Sequence, residues 1–121
     1  MKIFLAALAS IVLSVAAQFT LKAGMGSLAV KHALAQPLGL RSAWDILGNA
    51  WVLSGFALYL LGAMVWLTVL AQWDVSKAYP LVGLGFVFTL LVGLLQGEQI
   101  SVARAAGVLL ITAGVYLVSR S

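Results

Sequence analysis

Cysteine is absent from the 121 residues, which excludes disulfides, thiolate metal sites and cysteine nucleophiles. Charge is scarce: charged types make up 8% of the chain, where soluble domains carry about a quarter. The few cations are scattered along the sequence and give no basic face of the kind nucleic acid requires. Nucleic acid is therefore not an expected partner, and anionic lipid headgroups suit the net charge of +4 better. There is no metal-ligand spacing, no nucleophile triad and no phosphate-cradling glycine loop. No cofactor or metal is expected, and catalysis has no visible machinery, so the chain does not read as an enzyme. A lone His32 reads as a surface residue rather than a ligand.

What remains is apolar. Hydrophobic types make up 64% of the sequence, more than one small soluble core can hide, because short domains keep much of their surface in water. A bilayer core needs about 20 mostly apolar helical residues per crossing. Four runs meet that requirement, at about 3–22, 50–72, 75–95 and 101–119. Backbone in lipid must bond to itself, so helices follow, and the alternating segments of a β-barrel are not seen. The fold class expected is an all-α membrane protein, one domain over 1–121 with four transmembrane helices. Met1-Lys2, the first apolar run and Val15-Ala16-Ala17 imitate a secretory signal. The run continues through Phe19 to Leu21, long enough to span, and is read as a membrane helix.

The connections differ. Trp73-Asp74 and Gln96–Ile100 are tight, so the last three spans alternate in direction. The first connection, 23–49, is long and broken by Gly24, Gly26, Pro37, Gly39 and Gly48. Its segments 27–36 and 41–47 are mildly amphipathic and suit the membrane interface, as do Trp44, Trp51 and Trp73. Lys2, Lys77 and Arg120 fall on one side of the membrane, and Lys22, Lys31, Arg41 and Arg104 on the other. So even a balance gives the positive-inside rule little to act on. Insertion in both orientations, and one orientation set by a partner or by the long loop, both stay open.

Within lipid the polar residues are informative, because burying them unpaired is costly. Ser10, Ser14, Gln18 and Lys22 recur every four residues on one face of the first span. Ser10 and Ser14 suit interhelical hydrogen bonds. Gln18 and Lys22 suit the wall of a substrate cavity, although a lysine here can also snorkel to the interface. At the third span, Asp74 or Ser76 can cap the helix, and Lys77 stands one turn from Asp74 and can pair with it. A helix N-terminus beside Lys77 suits a phosphate, whereas an ordinary capped helix start with an interfacial lysine is the plainer alternative. Pro80, Gly83 and Gly85 make this span the candidate hinge. In the fourth span Ala103, Gly107 and Gly114 form a small-residue face suited to dimerisation.

Four helices, tight later loops and a glycine-rich fourth span resemble the small multidrug resistance family of the drug/metabolite transporter superfamily. The resemblance rests on Ala17–Lys22, Leu70–Pro80 with its Ala78-Tyr79 pair, Gly83-Leu84-Gly85 and Gly107–Val115. Exporters of that family carry a membrane-embedded glutamate in the first helix. Alignment on Lys22 places Ser14 there, which removes both the counter-ion for a cationic drug and the proton carrier. Asp74-Val-Ser-Lys-Ala-Tyr-Pro-Leu81 resembles instead the small lipid-flippase branch, which includes paired subunits for aminoarabinose linked to undecaprenyl phosphate. That resemblance implies a dimer of four-helix protomers, homomeric or with a related small subunit, in a bacterial inner membrane. It implies a lipid-linked sugar phosphate as substrate. In one shared polar chamber, Lys22, Lys77 and the N-terminus of the third span are expected to draw the phosphate, and Gln18, Asp74, Ser76 and Tyr79 to hydrogen-bond the phosphate or the sugar. An exporter of small compounds and a non-transporting subunit of a glycolipid-modifying complex are the alternatives.

Overall fold

In the computed structural model, which describes residues 1–121, short polar residues at the ends of the apolar runs decide where helices begin. Helix α1 covers Lys2–Met25, so the first span runs on past Lys22. Ser27 then caps the short helix α2 (Leu28–Ala35), its hydroxyl accepting from the Val30 N–H. A second short helix, α3 (Leu40–Leu47), follows Pro37 and Gly39. Asn49 caps α4 (Ala50–Leu70) by accepting from the Trp51 and Val52 N–H groups at 3.0 and 3.3 Å. Ser101 does the same for α7 (Val102–Arg120), accepting from Arg104. Each cap satisfies N–H groups that a helix cannot bond to itself.

The third span is not one regular helix. It starts as α5 (Val75–Ala78), tightens into a 3₁₀ turn over Tyr79–Gly83, and resumes as α6 (Leu84–Leu95). Pro80 explains the change, since it lacks the N–H that an α-helix would use at this point. Asp74 holds the N-cap backbone conformation, yet its side chain accepts no capping bond, contrary to expectation. Four of the helical segments (α1, α4, α5 to α6 taken together, and α7) are long and apolar enough to cross a membrane. The chain is a multi-pass, all-α membrane protein.

The tightest packing joins α1 to α4, which run antiparallel. A Cβ on Gly55 would lie 2.6 Å from Leu21 Cγ, and one on Gly62 would lie 3.3 Å from the Ser10 carbonyl. The absent side chains let the two backbones approach, which is how helices gain contact where no hydrophobic effect drives them together. Ser10, buried at 4% exposure, donates from Oγ to the Gly62 carbonyl at 2.6 Å. At the Met1 end, Ala7, Ile11 and Val15 of α1 pack with Val69 of α4, Ala78 and Leu81 of the third span, and Val115 of α7. Val115 is the one buried residue of α7, whose other residues are partly or fully exposed within the protomer.

Candidate functional site

The residues expected to share one chamber separate into two groups at opposite ends of the bundle. Ala7 of α1 packs in the same cluster as Ala78, the neighbour of Lys77. Lys22 stands fifteen residues further along α1, about 22 Å at 1.5 Å per residue. A single phosphate site built from Lys22 and Lys77 is therefore excluded within one protomer. The reason is topological: the first span ends just beyond Lys22, the second returns, and the third begins beside Lys77.

Lys77 does not pair with Asp74. Its Nζ lies 4.4 Å from the centroid of the Trp73 ring, a cation–π contact. Asp74, Ser76 and Tyr79 are all exposed around it. The anion site expected at this helix start is also weakened, because only the four residues of α5 are α-helical before the winding changes. So short a stretch aligns few peptide dipoles.

At the other end, Lys22 Nζ donates to Glu98 Oε1 at 2.7 Å. This is the one ion pair in the chain, with side chains 66% and 33% exposed. Pairs this open to water are worth at most about 1 kcal/mol, so this one exchanges readily for another partner. One turn before Lys22, Gln18 donates to the hydroxyl of Tyr59 on α4. The polar stripe of α1 thus turns largely toward α4. Ser10 bonds to its backbone, and Ser14 shares with Ser10 and Tyr59 a small cavity of about 200 Å³.

Beside Glu98 a crevice of about 290 Å³ opens between α1, α6 and α7. Phe19, Phe86, Leu90 and Val108 form its apolar wall. Glu98 and Arg104 line it at the loop end, where the Arg104 guanidinium donates to the Gln99 carbonyl at 3.3 Å. An apolar slot with charge gathered at one end suits an amphiphile: a tail along the wall and a polar head at the mouth. Glu98, Arg104 and Tyr59 were not among the site residues expected from sequence. The available signal was topological, since the first and third connections share a membrane face and Lys22 and Glu98 both stand at its edge.

The chain matches curated relatives over nearly its whole length. It is 37% identical to the probable 4-amino-4-deoxy-L-arabinose-phosphoundecaprenol flippase subunit ArnF of Photorhabdus laumondii, covering 99% of this chain and 98% of that protein. The identity to ArnF of Proteus mirabilis is 32%, over 97% and 91% of the two chains. To the related subunit ArnE of Pseudomonas fluorescens it is 37%, over 79% and 86%. The chain belongs to this family of small flippase subunits. No family profile matches it, and no solved structure does. Membership of the flippase family agrees with the resemblance carried by the Asp74–Leu81 string.

Family membership also sets the remaining features in context. A cavity of about 680 Å³ lies outside the spans, between α2 and α3, with His32, Arg41 and Asp45 on its rim. Gly83 faces α7, where a Cβ would lie 2.9 Å from Ile111 Cγ2, and Gly85 faces α1, 3.4 Å from Ile11 Cγ2. A Cβ on Gly107 or Gly114 would meet nothing within 4 Å, so the small-residue face of α7 is unfilled within the protomer.

Proposed function

We propose that this chain is one subunit of a dimeric flippase that moves a polyprenyl-phosphate-linked 4-amino sugar across a bacterial inner membrane, and that it is not an enzyme. The observation carrying this reading is the crevice walled by Phe19, Phe86, Leu90 and Val108 that ends at Glu98 and Arg104, with Lys22 beside them. Such a substrate is an apolar chain with a charged head, and only the head has to leave lipid contact to cross. Lys22 and Arg104 bind the phosphate, the prenyl chain stays against the aromatic wall, and Gln18 with Tyr59, on the neighbouring α4-facing side of α1, meets the sugar as the head leaves the crevice.

The second group of polar residues serves the opposite face. Asp74, Ser76, Lys77 and Tyr79 receive or release the head there, with Lys77 leaving the Trp73 ring as the phosphate arrives. Between the two stations, the 3₁₀ turn over Tyr79–Gly83 is the hinge, since interrupted winding inside a span marks a place where the helix bends cheaply. Pro80 sets it and Gly85 allows α6 to slide along α1. The partner is a second copy or a related small subunit, packed through Ala103, Gly107 and Gly114 of α7. Paired relatives named as separate subunits support a related partner.

Cationic drug export fits poorly. No acidic side chain lies within the spans to pair a cation inside lipid or to carry its exchanging proton. The deciding experiment reconstitutes the chain, alone and with its related subunit, in liposomes holding the polyprenyl-phosphate amino sugar in one leaflet. Appearance of the amine at the outer surface, read by a membrane-impermeant amine reagent, supports the reading. No translocation with either composition overturns it.

A further inference from the structure

Glu98 is placed with more care than a loop residue needs. Helix α6 ends at Leu95, and Gly97 takes φ +83°, a left-handed conformation that turns the chain back. The Glu98 N–H then donates to the Gly93 carbonyl at 2.9 Å, which fixes Glu98 one turn back over the end of α6. Any residue other than proline can make that backbone bond, so the turn does not explain the acid. The side chain has its own arrangement. It lies against Gly93, where a Cβ would overlap the carboxylate. From there it reaches Lys22 at 2.7 Å while bordering the apolar crevice. Glycine on one side and lysine on the other hold an acid at the mouth of a site read as binding a phosphate, where a second anion by itself would repel the ligand.

That conflict points to the ligand. We infer that Glu98 is the specificity-determining residue for the amine of the sugar: the substrate's phosphate takes Lys22 away from Glu98, and the freed carboxylate takes the substrate's ammonium. This inference rests on the flippase reading above. The exchange keeps every charge paired. Before binding, Lys22 and Glu98 neutralise each other; afterwards each faces the opposite charge of a zwitterionic headgroup, and Arg104 remains beside the phosphate. A lipid whose sugar carries a hydroxyl in place of the amine would also displace Glu98, but it would leave the carboxylate without a partner beside an apolar wall. Glu98 is partly exposed, so losing its partner costs modestly rather than as a buried charge would, but that cost falls only on the wrong ligand, which is how specificity against a near-identical competitor arises. No covalent step is involved.

The test compares two short-chain prenyl phosphates, one linked to 4-amino-4-deoxyarabinose and one to arabinose, binding to the protein with its related subunit in nanodiscs. The unsubstituted protein should bind the amine lipid about tenfold more tightly. Glu98→Gln should bring the two affinities together, chiefly by weakening the amine lipid, and Glu98→Asp should restore part of the preference. A purely structural role for Glu98 would weaken both lipids alike, which overturns the inference, as does any result in which Glu98→Gln keeps the preference. If Glu98→Gln fails to fold, the unsubstituted protein still decides: equal affinity for the two lipids removes the basis of the inference. Translocation of both lipids in liposomes, run in parallel, separates the two readings. Preference in binding without translocation ends the flippase reading alone, and translocation without preference ends this inference alone.

Discussion

Leu21 of α1 occupies the space where a side chain on Gly55 of α4 would be, with its Cγ 2.6 Å from the ideal Cβ position. The contact closes the α1–α4 pair at the end where Lys22 and Gln18 emerge. Gly55→Ala should therefore force α4 away from α1 and cost about 1–3 kcal/mol, the usual range for overpacking. Gly107→Ala, at a helix-interior position where an added Cβ meets nothing within 4 Å, should raise protomer stability by up to about 1 kcal/mol, the helix advantage of alanine over glycine. Thermal unfolding of both variants in the same detergent reads the difference. Equal melting temperatures would mean that the pair is looser than described.

Because the chain has no native cysteine, introduced pairs report distance without background. Lys22→Cys with Glu98→Cys should crosslink with a short bismaleimide, since the native side chains meet at 2.7 Å. Lys22→Cys with Lys77→Cys should not crosslink within a protomer, the two positions being about 22 Å apart along the bundle. Efficient crosslinking of the second pair in a protein shown to be monomeric would restore the single-chamber arrangement.

The two lysines should also differ in function. Lys22→Ala should reduce binding of the phosphate-linked lipid about tenfold, and Lys22→Arg should recover much of it, because a guanidinium still pairs with phosphate. Lys77→Ala should leave that binding nearly unchanged while slowing translocation, since its station lies at the opposite face. Binding isotherms and initial translocation rates on the same preparations separate the two effects. Equal loss of binding in both variants would contradict the assignment of one lysine to each face.

The four spans were legible because lipid imposes one demand, an apolar run long enough to cross, and the sequence meets it four times. The caps at Asn49 and Ser101 were not among the sequence expectations, although each is a polar residue bordering an apolar run. The joint site of Lys22 and Lys77 failed for a reason already present in the sequence: after one intervening span, residues that end one helix and begin the next but one lie on opposite faces. Each lysine had a sound local argument, and neither argument contained depth. The pairing of Lys22 with Glu98 required knowing that α6 returns to the side of α1, and that Gly93 leaves room for a carboxylate to fold back. Asp74 shows the converse. Its type and position suit a cap, but its carboxylate accepts no helix N–H.

Helix α7 carries the last expectation. Its small residues Ala103, Gly107 and Gly114 serve no packing purpose within the protomer, since a Cβ on either glycine would touch nothing, while glycine inside a helix costs about 1 kcal/mol relative to alanine. Two such costs on one helix are offset if another helix packs closely there. Gly107→Leu should leave the protomer's melting temperature the same or higher and sharply reduce dimer formation, read by crosslinking in membranes with the related subunit present. Loss of transport should follow in proportion to loss of the dimer. An undiminished dimer would move the interface to another helix, and a dimer lost together with protomer stability would mean that this face packs within the chain after all.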